Sequence, residues 1–112
     1  MSYSTQGQLT TSPATVVSLP GQVATIVKVV FCNESGSPVT ISYGVTIKAS
    51  GLAAGAAGTA VGRTWTLGAA GSTTHTLEAT ELVGFTLGVA DAVWAVASTG
   101  AAVSWLASVG QP

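Results

Sequence analysis

From Val39 to Lys48 apolar and polar residues alternate without a break. Val39, Ile41, Tyr43, Val45 and Ile47 fall on one side of a pleat, and Thr40, Ser42, Gly44, Thr46 and Lys48 on the other. Successive side chains of a strand point to opposite faces, so this period of two predicts a strand with one buried and one solvated face. A sheet with one apolar face is stable only when a second layer covers that face.

The remaining text follows the same grammar. Short runs rich in Val, Ile and Thr are divided by turn signals, and residues that fill helix surfaces are scarce. The run at 14–19 ends at Pro20-Gly21, a pair suited to a type II turn. The run at 22–32 is apolar on both pleat faces (Val23, Val27, Val29 and Phe31 against Ala24, Ile26, Val30 and Cys32), which predicts a strand covered on both sides. A polar turn at 33–38, with Gly36 and Pro38, then predicts a hairpin between that run and the alternating one.

Residues 49–62 (ASGLAAGAAGTAVG) interrupt the pattern and read as a long Gly/Ala-rich loop. Short strands are expected at 63–67, 73–78 and 81–87, and the runs at 92–98 and 101–109 flank Thr99-Gly100 as a terminal hairpin. The sum is an all-β chain: a single antiparallel β-sandwich domain of about seven or eight strands over 14–112, with either jelly-roll or immunoglobulin-like topology. Residues 1–13, rich in Ser, Thr and Gln, read as a flexible amino-terminal arm, with neither the basic nor the apolar region of a secretory signal.

Composition narrows the function classes. Only 6% of the 112 residues are charged, against about 25% in an average soluble domain, while 47% are hydrophobic and the mean hydropathy is +0.57. Disorder requires the reverse of both. Three basic residues (Lys28, Lys48, Arg63) cannot neutralise a phosphate backbone, so no nucleic-acid partner is expected. The lone Cys32 supports neither an internal disulfide nor a thiolate metal site. A net charge of -1 leaves little repulsion between copies, which favours life in an assembly.

A competing reading is a membrane span, because Leu82 to Val109 contains Asp91 as its only charge and exceeds the roughly 20 residues a span needs. Asp91 itself, the turn at 98–100, Ser104, Ser108 and the lack of flanking Lys/Arg clusters fit a hairpin better, so no membrane partner is expected.

Chemistry finds little purchase. The only histidine, His75, has no nucleophile elbow near it, and a grouping with Asp91 and a serine would rest on composition alone. His75 and Glu78 fall on opposite faces of a strand, so no metal is expected. Glu78 and Glu81 flank a turn and read as solvating charges rather than a glycosidase pair. The glycines at 51, 55, 58 and 62 lack the Lys-Ser/Thr of a phosphate loop. Catalytic residues and cofactors are therefore not expected. Asp91 reads as the cap of a tight turn after Gly88.

The tryptophans are the least neutral choice in a chain of small residues, and aromatic residues are enriched at interfaces. Trp65, Trp94 and Trp105, together with Tyr3 and Leu9 in the arm, are the candidate interface residues; the alternative for each Trp is a place in the core.

The run ending in Leu19-Pro20-Gly21, the segment ATIVKVVFCNESGSPVTI at 24–41, and the late acidic turn at Asp91 before AVWAVAS and GAAVS resemble a family of small β-sandwich virion proteins of tailed bacteriophages. The resemblance covers most of residues 15–109 and departs from the family in the Gly/Ala loop, Trp94 and Trp105. It implies a virion protein made in the host bacterial cytoplasm, of minor capsid or head decoration (cement) type. Such a protein binds the major capsid protein or other virion proteins, and itself as a symmetric homo-oligomer, with a trimer as the first expectation. The alternative is a tail, collar or fibre-associated module binding a host receptor or glycan.

Overall fold

The computed structural model describes residues 2–18, 23–47, 51–52, 56–58, 60–89 and 91–110. Among the described residues nine strands follow one another: β1 (Ser2–Gln8), β2 (Ala14–Ser18), β3 (Ala24–Asn33), β4 (Val39–Thr46), β5 (Ala60–Leu67), β6 (Thr76–Glu78), β7 (Thr86–Leu87), β8 (Ala92–Ala97) and β9 (Val103–Gly110). A 3-10 turn, Thr80–Leu82, separates β6 from β7.

Two antiparallel sheets face each other, one in the order β1-β9-β3-β6 with β7 also on β3, the other in the order β2-β8-β4-β5. β6 pairs with Val30, Phe31 and Cys32, and β7 with Ala24 and Thr25, so the two are one edge strand of β3 broken by the 3-10 turn. Backbone bonds across the break, from Ala79 N to Val29 O and from Gly84 N to Ile26 O, keep it on the sheet. With β6 and β7 counted as one, the first strand pairs with the last, the second with the next to last, and so inward to β4 and β5. That nested pairing, wrapped so that alternate pairs enter opposite sheets, is the double Greek key of an eight-stranded jelly roll.

Between the sheets lies one apolar core. Ile41, Tyr43 and Val45 of β4, the buried half of the alternating run, meet Ile26, Val29 and Phe31 of β3, with Leu67, Leu82, Leu87, Val93, Val103 and Val109 closing around them. The Phe31 and Tyr43 rings stack at 5.1 Å between centroids, linking the sheets at their centre. Each such ring removes about 150–250 Å² from water.

The all-β sandwich expectation is met, and several local expectations are not. β3 and β4 form no hairpin, because they belong to opposite sheets; the same is true of β8 and β9. Turn chemistry signals that the chain reverses, whereas the partner of a strand is decided by which long-range pairing buries its apolar face. Asn33 makes the crossing at 33–38 specific. Its buried side chain donates to Ser37 O (2.8 Å) and Gly68 O (2.9 Å) and accepts from Ser35 N and Oγ.

β3 is covered on one side only, with Val27 53% exposed and Lys28 exposed on the other. A bulge between Ile26 and Lys28 shifts the register there, which is why the apolar residues of this run do not keep a single parity. Residues 81–87 contain a 3-10 turn rather than a continuous strand, and the end of the Gly/Ala segment, from Ala60, already belongs to β5. The Pro20-Gly21 turn and residues 49–50, 53–55 and 59 of the expected loop lie outside the described residues.

The amino-terminal segment expected as a flexible arm contains β1, paired with β9 from Ser2↔Gly110 to Gln8↔Ser104. Its lack of large apolar residues disguised it: β1 is an edge strand, anchored by Leu9, which is 3% exposed, and by the Thr5 hydroxyl, which donates to Val16 O of β2 at 3.1 Å.

Candidate interaction surface

The five candidate interface residues separate into different environments. Leu9 is a core residue, with its N–H donating to Val103 O at 2.8 Å, so in the folded chain it presents no surface. Tyr3 lies in β1 opposite Val109. Trp105 points inward from β9 and is half-buried against the core, its ring lying over Gly7 of β1.

Trp94 shares the outer face of its sheet with Gly44 and Thr15, its register partners, yet only 6% of it is exposed. Gly58 of the Gly/Ala segment lies against the backbone of Val45 and Thr46, and the buried Thr46 hydroxyl donates to Ala56 O, so residues 56–58 lie over the outer face of β4 beside Trp94. The indole Nε1 of Trp94 is buried without a hydrogen-bond partner. An open concavity of about 370 Å³ adjoins it, lined also by Ser42, Arg63 and Thr64.

Trp65 is the most open of the three, 39% exposed on the edge strand β5, with the Arg63 guanidinium 4.1 Å from its ring centroid. Arg63 also reaches Glu81 Oε2 on the 3-10 turn at 3.3 Å, and the other Glu81 oxygen accepts the phenol of the fully buried Tyr43. Burial first, then the Glu81 carboxylate, push the Tyr43 phenol far above its usual value. This chain of Tyr43, Glu81, Arg63 and Trp65 clamps the β5 edge of one sheet to the 3-10 turn of the other. Sequence inspection missed it because Glu81 and Arg63 are distant in sequence and nothing marks them as partners.

The remaining charged groups are placed locally. The Asp91 carboxylate accepts from Gly88 N at 2.9 Å, as expected of a turn cap. His75 Nδ1 lies 2.7 Å from Ser72 O, and Glu34 accepts from the Ser104 hydroxyl at 3.0 Å. Glu78 is exposed on β6, and Glu81, also exposed, holds the ion pair just described. Among the described residues no group of three or more His, Cys, Asp or Glu side chains converges as a metal site would require, and no helix is long and apolar enough to cross a membrane. Leu82 to Val109, weighed as a span, is instead divided among β7, β8 and β9.

The outer face of β4 and β5 carries a ladder of hydroxyl groups, whereas that of the β1-containing sheet mixes hydroxyl and amide groups with the exposed apolar residues Val27 and Leu106. On one, Thr40 pairs with Thr66 (3.3 Å) and Ser42 with Thr64 (2.9 Å); on the other, Ser4 meets Ser108 (3.5 Å). An open trough of about 600 Å³ runs over the second face between Gln6, Val30, Cys32 and Leu106. Such surfaces suit broad contact with another protein better than selection of a charged small molecule.

Compared with known protein families, with curated proteins and with solved structures, the chain matches none.

Proposed function

We propose that this chain is a non-catalytic virion structural protein: a minor capsid or decoration protein that binds the head shell of a tailed bacteriophage and stabilises it. Its partners are the major capsid protein and further copies of itself. The observation that carries the reading is the pair of outer sheet faces with few charges, one built on a hydroxyl ladder and the other mixing Ser and Gln residues with exposed Val27 and Leu106. Such faces lack the charge that keeps copies and neighbours apart. The sequence resemblance supplies the virion setting, and the jelly roll is an architecture shared by viral shell and lectin domains, an analogy at the level of fold.

A cement protein acts by binding the assembled lattice and not its dissociated subunits, so occupancy shifts the shell equilibrium by mass action. Quantitative mass spectrometry of purified particles tests the assignment. A fixed ratio to the major capsid protein is expected, and its absence from particles contradicts the proposal.

A second reading, a tail, collar or fibre module binding a host receptor or glycan, is favoured by Trp65, whose exposed ring and overlying Arg63 offer a stacking platform. Binding of the isolated protein to host surface glycans, lost in Trp65→Ala, would select it over the first.

A further inference from the structure

A jelly roll has open strand edges, and each is a row of unpaired backbone groups able to accept another strand. Three of the edges here are blunted. β6 and β7 are short and broken by the 3-10 turn. β2 has five residues with a bulge between Thr15 and Val17, and its Val16 carbonyl already accepts the Thr5 hydroxyl. β5 has a register shift opposite Tyr43 and Val45 and carries the Arg63–Trp65 pair.

β1 has none of these devices. Its seven residues, SYSTQGQ, contain no Pro and no charge, and they pair with β9 without a register shift. The direction of its free groups follows from one bond, Leu9 N to Val103 O. Hydrogen-bonded and non-hydrogen-bonded pairs alternate in an antiparallel ladder. Gly7, Thr5 and Tyr3 therefore turn their backbone groups towards β9, and Gln8, Gln6, Ser4 and Ser2 turn theirs outward. Thr5, Gly7 and Leu9 hold the strand in place from the inner side, so the edge is ordered before any partner arrives.

We propose that a second copy of this chain pairs with the free edge of β1, antiparallel about a two-fold axis at Thr5, joining the two β1-containing sheets into one. That register engages all the outward-turned residues of both strands and sets Ser4 opposite Gln6 and Ser2 opposite Gln8. These are neutral pairs of hydroxyl and amide residues that complement themselves under the two-fold. No charged residue precedes Lys28, so the two edges meet without repulsion. The product is a dimer rather than the trimer first expected, since a two-fold edge contact closes on itself. The inference deepens the assembly reading above and rests on it for its biological setting.

Size-exclusion chromatography with light scattering, run over a dilution series of the full chain, tests the pairing. The wild type is expected as a dimer. Ser4→Lys/Gln6→Lys and Ser4→Glu/Gln6→Glu place like charges opposite each other in this register. Each is expected to be monomeric with an unchanged far-UV spectrum, its dissociation constant raised at least about tenfold. An equimolar mixture of the two is expected to regain the dimer. Gln6→Pro, which removes only an outward N–H, serves as an independent block. A monomeric wild type at every concentration, dimeric charge variants, or a mixture that stays monomeric overturns the proposal. A monomer still found in particles fails this inference alone; a dimer absent from particles fails the virion reading alone.

Discussion

Gly58 lies so close to Val45 that a Cβ added at position 58 would stand 2.5 Å from the Val45 carbonyl oxygen. The obstacle is backbone near the carboxyl end of β4, paired there with β5 and β8, and cannot move aside without disturbing the sheet. This contact brings the Gly/Ala segment down onto the outer face beside Trp94.

Gly58→Ala is accordingly expected to lift the segment, costing about 1–3 kcal/mol of stability, the usual range for overpacking. Exposure of Trp94 should follow, read as a red-shifted emission and faster iodide quenching. Unchanged fluorescence and stability would show that the segment does not depend on this approach.

Gly7 and Trp105 present a gentler version of the same relation. A Cβ at position 7 would come 3.0 Å from the indole ring, a side chain with some room to shift. Gly7→Val should therefore displace the ring and cost about 1–2 kcal/mol, visible in the near-UV circular dichroism of the tryptophans. Gly7→Val with a wild-type near-UV spectrum would contradict the inward placement of Trp105.

Asn33 satisfies four hydrogen bonds at the crossing between the sheets, all of them made by a fully buried side chain. Asn33→Ala removes them and orphans buried partners, for which about 2–4 kcal/mol is expected. Urea denaturation measures it. A loss below about 0.5 kcal/mol, the range of ordinary surface substitutions, would mean that the turn holds itself.

The Tyr43 phenol gives the protein an alkaline weakness. Burial and the Glu81 carboxylate raise its folded pKa, while in the unfolded chain it titrates near its ordinary value of about 10. Above that pH the unfolded state releases a proton that the folded state retains, so stability falls as pH rises. The contribution is complete below about pH 10 and is lost as the pH climbs towards the folded pKa. Tyr43→Phe removes the titration and should flatten the alkaline limb of stability against pH, at a cost near neutrality of about 1 kcal/mol. Superimposable alkaline limbs for the two proteins would refute this assignment.

The sequence disclosed the layers more readily than their wiring. The alternation named Val39, Ile41, Tyr43 and Val45 as the inward face of β4, and the turn after Gly88 predicted the Asp91 cap; the face expected to be solvated is buried at Gly44 and Thr46, and Ile47, beyond the strand, is exposed. Period two says which side of a strand is wet, but it carries no information about which sheet the strand joins, and so both expected hairpins became crossings between sheets. β1 escaped notice because its polar residues, Ser4, Gln6 and Gln8, face solvent, and Thr5 and Gly7 on its other side are small. Of the interface candidates, Leu9 and Trp94 are apolar residues whose burial depends on segments distant in sequence, a relation that composition cannot reveal. Only Trp65 retains a broad exposed surface among the three tryptophans.

Reconstitution on head shells tests the central claim most directly. Shells prepared without the protein are heated with and without added purified chain, and disruption is followed by light scattering. The account predicts saturable binding and a rise in disruption temperature that grows with occupancy. Shells that neither bind the protein nor gain stability from it would contradict it.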